Sequence, residues 1–290
     1  MSKLDFKHHP DTDFRNVDDL SKVEACGEIH ALREGINHHN RLYYVENKPE
    51  ISDAVYDQLF RRLEDLEAAF PDLASENSPT QRVGAEPMEE LARVEHAAPM
   101  LSLNAVFEAD ELASFLETVR RAAGEKKPRF IAEPKFDGVS IEVVYEQGDY
   151  LRGVTRGDGQ TGEDVTANVR TIRSLPLSLQ GGERKPPKQL AVRGEVLLPK
   201  EAFQQFNRER IERGEEPLAN PRNAAAGTLR RLDPTQVAKR PLDIVFYDVL
   251  EVQGESFNTH WDELEQLRRW GLKTDTQNRR CSSKSRNLRS

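Results

Sequence analysis

Long apolar runs are the plainest thing this chain lacks. No stretch of 18 hydrophobic residues occurs in it, and its N-terminus, MSKLDFKHHPDTDF, has no apolar segment of the kind a secretory leader carries. The expectation is a soluble chain with no membrane partner. Cysteine is scarce as well. Cys26 and Cys281 are too few for a disulfide framework or a paired-cysteine metal site, which points to a reducing, cytoplasmic setting. Nor is there an excess of positive charge: 42 Lys and Arg stand against 50 Asp and Glu, a net charge of −8. That excludes a uniformly basic nucleic-acid coat and leaves room for a local basic groove.

What is present divides in two. Residues 17–45 carry Val17, Leu20, Val23, Ile29, Leu32 and Ile36 at helical spacing, and predict a helix or two. After NKPEI, Ser52 is placed to cap a second helix, with Asp53 in its first turn and Pro71 closing it. Val55, Leu59, Leu63, Leu66 and Phe70 form one stripe of that helix, while Asp53, Tyr56 and Asp57, at i, i+3 and i+4, share another. The second stripe is either a solvated acidic face or a surface that closes over a ligand. Residues 77–100 read as irregular, and ADELASFLETVRRA as a further amphipathic helix.

From residue 129 the pattern changes to strands: RFIAEP, VSIEVVYE, YLRGVTR, QLAVRGEVLL and LDIVFYDVL, with EQGD at 146–149 as a hairpin turn. Helical patterns punctuate them at KEAFQQFNRERIERG and WDELEQLRRW. The prediction is an α+β chain, a small helical domain followed by a mixed, largely antiparallel one. The final stretch, TDTQNRRCSSKSRNLRS, reads as polar sequence with no closing strand.

Gly157, Gly159 and Gly162 fit a GxGxxG dinucleotide fingerprint, with Glu183 some twenty residues on. The preceding strand, however, reads as a hairpin arm, Asp158 sits where a pyrophosphate would approach, and EDVTANVRTI lacks a long apolar helix face. A turn that needs glycine is the better account. A Rossmann oxidoreductase would also tolerate loss of Lys135, which is the more telling residue.

Lys135 stands in AEPKFDG between Glu133 and Asp137, at the mouth of a strand. A salt-bridged sheet edge is one reading. Attack by the amine on a phosphate is the other; the flanking carboxylates oppose it unless a divalent cation such as Mg²⁺ offsets them. Arg156, Arg222 and Arg230 are candidate phosphate clamps, though each alone suits a solvated surface. Small residues crowd ANPRNAAAGTLRR, which fits either close approach to a ligand or tight helix packing.

EPKFDG resembles the lysine nucleophile motif of covalent nucleotidyltransferases. Together with TRGDGQTGEDVTANVRTI, VRGEVLLP and NPRNAAAGTLRRLDP it resembles the adenylation domain of bacterial NAD⁺-dependent DNA ligases. LYYVENKPEISDAVYDQLFRRL, SPTQRVG and PMLSL resemble the segment particular to the NAD⁺-using branch, so the likeness runs from about residue 28 to 272.

The resemblance implies a domain for nicotinamide mononucleotide recognition over 1–78 and an adenylation domain over 79–290. Lys135 would take AMP from NAD⁺, with Asp137 assisting the lysine or its Mg²⁺. Glu133 would face adenine, Glu195 would hold the ribose and Tyr247 would stack on the base. Ser102 and Leu103 would line the adenylate pocket, Arg156 would meet the sugar-phosphate part, and Arg222 and Arg230 would contact phosphates of NAD⁺ or of nicked double-stranded DNA. Tyr43, Asp53, Ala54, Val55, Tyr56 and Asp57 would recognise the nicotinamide mononucleotide half.

Three departures follow. Many family members have a histidine where Tyr44 stands, and Pro134 replaces a hydrophobic or acidic residue. The family also continues with two further lysines, an OB-fold, a four-cysteine zinc site, helix-hairpin-helix repeats and a BRCT domain. The expectation is therefore an incomplete adenylation domain without the zinc site, with weak or absent DNA binding of its own. The alternative is an NAD⁺-binding module without ligase activity.

Overall fold

The structure, a computed structural model, describes residues 4–83, 85–102, 106–125, 128–181 and 185–281. The chain opens with two antiparallel-packed helices, α1 (Lys22–Tyr44) and α2 (Asp53–Ala69). Ser21 and Glu24 cap α1 reciprocally, the Ser21 hydroxyl accepting from the Glu24 N–H and the Glu24 carboxylate from the Ser21 N–H. Ser52 caps α2 as its sequence predicts. Ile29, Leu32 and Ile36 of α1 meet Leu59, Leu63 and Leu66 of α2 in one buried cluster, with Val55 and Phe70 at its margin. Between the two helices the buried Arg62 and Glu28 pair at 2.6 Å.

A short strand β1 (Arg93–Glu95) and helix α3 (Ala109–Ala123) lead to β2 (Phe130–Ala132). The hairpin β3 (Val139–Glu146) and β4 (Asp149–Thr155) then turns through Gln147 and Gly148, both at positive φ, the geometry a tight two-residue turn requires. Next come β5 (Thr161–Glu163), α4 (Thr166–Arg170), β6 (Gln189–Leu197) and α5 (Lys200–Glu212). The described chain finishes with α6 (Pro221–Leu229), α7 (Pro234–Ala238), β7 (Asp243–Gln253), α8 (His260–Arg269) and β8 (Arg279–Cys281). The main sheet has the order β4–β3–β6–β7 and is antiparallel throughout.

Alternation along these strands makes two unlike faces. Ile141, Val143, Tyr145, Val192, Ile244 and Phe246 point into the larger core, with Val169, Ile172, Leu175, Leu267 and Trp270 packed on them. The other face carries Ser140, Glu142, Arg193 and Glu195. Two expectations change. The stretch 77–100 is not wholly irregular, because β1 pairs with β5. The end of the described chain does have a strand, because Arg279–Cys281 pairs with Phe130–Ala132. Both strands are three residues long, too short for alternation to register. In the glycine-rich stretch, β4, its turn and β5 run antiparallel, with Gly157 and Gly159 at positive φ and Asp158 accepting from the N–H groups of Gln160 and Thr161. It is a turn, as expected, and not the first crossover of a βαβ unit. Glu183 lies outside the described residues.

Candidate active site

The polar face of the main sheet floors a cavity of about 420 Å³. Lys135 enters it from the loop between β2 and β3, a position it owes to the extended EPKFDG segment that precedes the strand. No hydrogen bond or ion pair engages its amine among the described residues. Gly138 closes the loop: a Cβ there would lie 2.2 Å from the Val196 carbonyl oxygen, so only glycine lets β3 lie this close to β6. Its N–H donates to Glu195 at 3.1 Å.

Register brings the remaining groups together. Ser140 on β3 is opposite Glu195 on β6, and Glu195 is opposite Val245 on β7. Arg193 pairs with Asp248 while Gly194 pairs with Phe246, which leaves Tyr247 as the extra residue of a β-bulge. Following core-facing Phe246, Tyr247 lies on the polar face by alternation, at the bulge. Its hydroxyl lies 3.0 Å from the Ser140 hydroxyl and donates to Glu195 at 3.4 Å. Burial raises the Tyr247 phenol above its usual pKa, opposed by the Ser140 hydrogen bond and the Arg193 charge. Burial likewise raises the Glu195 carboxyl, against the Gly138 N–H and the positive charges of Arg222 and Lys135.

Arg156, Arg222 and Arg230 all line the same cavity, as does Ser102. Arg222 pairs with Asp137 at 3.4 Å, and Arg230 with Glu163 at 2.6 Å. Asp137 itself is largely exposed and sits at the rim. The small-residue helix α6 serves both proposed purposes: Ala224 and Ala225 are buried in the core, and Ala226 lines the cavity. Glu133 also lines it, but its carboxylate is occupied, 3.3 Å from His260 Nε2 and accepting from Asn278 at 3.1 Å. Leu103 lies outside the described residues.

A second cavity, of about 460 Å³, lies on the helical unit. Tyr43, Asp53, Tyr56 and Asp57 line it together with Tyr44 and, from the segment after α4, Arg173. The Tyr56 hydroxyl donates to Asn40 at 2.9 Å. Ala54 and Val55 do not line this cavity, since Ala54 points to solvent and Val55 packs toward the helical core. The two cavities share no residue. Ile172 and Leu175, either side of Arg173, belong to the core packed on the apolar face of the sheet.

Sequence reasoning missed Arg193, Ser140 and Arg173. Arg193 had a signal, since it stands two residues before Glu195 and a strand puts i and i+2 on one face. It donates to the Ser140 hydroxyl at 3.2 Å and the Leu101 carbonyl at 2.8 Å, and its guanidinium lies 5.6 Å from the Tyr247 ring centre. Arg173 had none.

The residues fit a dinucleotide. An unengaged amine, four guanidinium groups, a carboxylate and an aromatic converge in one cavity, and a tyrosine- and aspartate-lined cavity lies apart. They form no closed metal site there: among the described residues the one group able to hold an ion, Asp248, His260 and Glu263, is not in the cavity lining.

Residues 88–288 match the family described as NAD-dependent DNA ligase adenylation domain, and residues 22–84 match the DNA ligase-like, N-terminal NAD⁺-binding domain. The chain belongs to the NAD-dependent DNA ligase family. A DNA ligase of Natronomonas pharaonis is 53% identical over 270 residues, covering 92% of this chain and 38% of that protein. One of Salinibacter ruber is 48% identical, covering 94% and 39%, and one of Geobacter sulfurreducens 49% identical, covering 87% and 38%. The chain thus spans under two fifths of the length of these ligases. No helix of the described residues is long and apolar enough to cross a membrane.

Proposed function

We propose that this chain carries out the adenylation step of a DNA ligase, with Lys135 as the nucleophile. The observation behind this is the convergence of Lys135, Glu195, Tyr247 and three predicted arginines in one cavity. The Lys135 nitrogen attacks the adenylyl phosphorus of NAD⁺. A P–N bond forms, the P–O bond to nicotinamide mononucleotide breaks with its electron pair, and the amine proton passes to solvent. Arg156, Arg222 and Arg230 hold phosphate oxygens, Glu195 takes the ribose hydroxyls, and Tyr247 offers its ring to adenine. Glu133 faces the adenine, and Ser102 lines the adenylate side of the cavity.

Tyr43, Asp53, Tyr56 and Asp57 bind the nicotinamide mononucleotide half. Because the two cavities share no wall, the helical unit, about residues 1–78, must close over the adenylation unit, about 79–290, for one NAD⁺ to meet both. Mg²⁺ would arrive on the dinucleotide phosphates, where it would neutralise charge. Transfer of the AMP to a 5′-phosphate at a nick in double-stranded DNA would follow, in replication and repair.

The test is covalent labelling. Protein incubated with Mg²⁺ and NAD⁺ labelled on the adenylate phosphate, then denatured, should retain label, and Lys135→Ala should retain none. Protein that binds NAD⁺ yet never takes up label would instead be a binding module.

A further inference from the structure

A buried pair outside the predicted site touches the backbone of one of its arginines. Glu142 on β3 is fully buried, two residues from Ser140 on the same strand face. Its carboxylate faces His96 Nδ1 at 3.1 Å, accepts from the Ala97 N–H at 2.8 Å, and lies 3.8 Å from the Arg152 guanidinium. The other ring nitrogen of His96 faces the Arg156 carbonyl oxygen at 3.1 Å. The His96 side chain is 1% exposed.

Both partners of the ring are acceptors. A ring with one proton serves only one of them, so the arrangement is complete when His96 donates on both sides, with Glu142 as countercharge. The Arg156 N–H, meanwhile, donates to the Ser140 carbonyl at 2.9 Å. Arg156 is therefore gripped at both ends of its backbone, by β3 directly through Ser140 and by β3 indirectly through Glu142 and His96. The side chain projects from this fixed point into the cavity that holds Lys135. The Arg156 carbonyl also accepts from the Gly159 N–H at 2.9 Å, so the turn and the His96 ring share that oxygen.

We propose that His96, backed by Glu142, is a positioning residue that sets Arg156 for the sugar-phosphate of NAD⁺. This rests on the reading of the cavity as the adenylate site. A buried pair that merely held β3 to the segment before residue 100 would affect stability alike in every background. A pair that acts through Arg156 affects binding only while Arg156 has its guanidinium.

The experiment is a double-mutant cycle on the 290-residue chain: His96→Gln, Arg156→Ala and their combination, with NAD⁺ affinity measured by calorimetry and label uptake by rate. His96→Gln should weaken NAD⁺ binding roughly tenfold, the loss expected for one misplaced charged contact. The rate at saturating NAD⁺ should change by less than about threefold, and His96→Gln should add nothing to Arg156→Ala. Additive losses of affinity, or a fall in rate with unchanged affinity, would overturn the inference while leaving the cavity's assignment standing. If wild type binds no NAD⁺, the assignment fails and the inference with it. Should His96→Gln not fold by circular dichroism, Glu142→Gln, which keeps shape and removes the countercharge, takes its place in the same cycle. Loss of fold in both would show the pair to be a stability element and overturn the proposal.

Discussion

Arg222 on α6 holds its Nη1 3.4 Å from Asp137 Oδ1, two residues beyond Lys135. An arginine proposed to meet phosphate is thus paired to the carboxylate two residues from the proposed nucleophile. Both side chains are more than half exposed, so the pair itself stabilises the fold little. Its consequence is for binding: a phosphate that recruits Arg222 frees Asp137. Arg222→Ala should raise the Kd for NAD⁺ roughly tenfold. Asp137→Asn should leave affinity equal or tighter while slowing label uptake by at least about tenfold. Equal losses of affinity in both variants would remove Asp137 from any role after binding.

The glycine that follows Asp137 gives a second prediction. Gly138→Ala would place a methyl 2.2 Å from the Val196 carbonyl and 3.0 Å from Glu195 Cγ. The carbonyl is backbone in a paired strand, so β3 and β6 must part at that end. The expected cost is about 2 kcal/mol, with label uptake reduced by at least about tenfold because Glu195 moves with its strand. Thermal unfolding and the labelling assay read the two effects separately. A Gly138→Ala protein with wild-type melting and wild-type label would contradict the close approach.

Much of this was legible in the residues. Long strands announce themselves by alternation, and Ser52 with the Val55-to-Phe70 stripe marks α2 in the residues alone. Three-residue strands such as β1 and β8 carry no period, and only their partners, β5 and β2, create them. Tyr247 was singled out by type, and its step from core-facing Phe246 puts it on the polar face; the bulge opposite Arg193 and Gly194 is what no residue in DIVFYDV marks. His96 and Arg173 were invisible for the same reason, since each acts through a partner far away in sequence: Glu142 for one, the Tyr44 ring for the other.

His260 makes a prediction about pH. Hydrogen bonds to Glu133 and Glu263 raise its pKa to about 10 from an ordinary 6.5. The folded chain thus binds the proton more tightly than the unfolded one. The stabilisation is complete below the unfolded value near 6.5 and is lost as pH rises through about 10. A side chain one third exposed is partly screened, so a contribution of about 1 kcal/mol is expected. Wild type should out-melt His260→Gln at pH 6 by roughly 2 °C, and the gap should close by pH 10.5. A gap that widened with pH would mean the ring is neutral in the folded chain.

Arg82 carries the last prediction, on how the two units are joined. Its guanidinium donates to the carbonyls of Arg170, Ile172 and Leu175 at 3.2, 3.0 and 2.9 Å. Burial is complete enough to lower its pKa to about 10, so a cation is held there against its own desolvation, by three carbonyl dipoles. Residues 79–83 form a short 3₁₀ helix, and the segment before it is held by Arg170, which donates to the Glu76 carbonyl at 2.6 Å and to Asn77 at 2.9 Å. Arg82→Ala would take a donor from all three carbonyls, of which that of Ile172 keeps the Leu175 N–H at 3.1 Å, at a cost of about 3 kcal/mol, or roughly 5 °C in Tm. Arg82→Lys should recover only part of this, because an ammonium group lacks the planar fork that spans three acceptors. Limited proteolysis tells a local effect from a global one: cleavage between α2 and β1 should accelerate in Arg82→Ala well below its melting temperature. If the variant melts lower without faster cleavage there, Arg82 serves the adenylation core and not the junction.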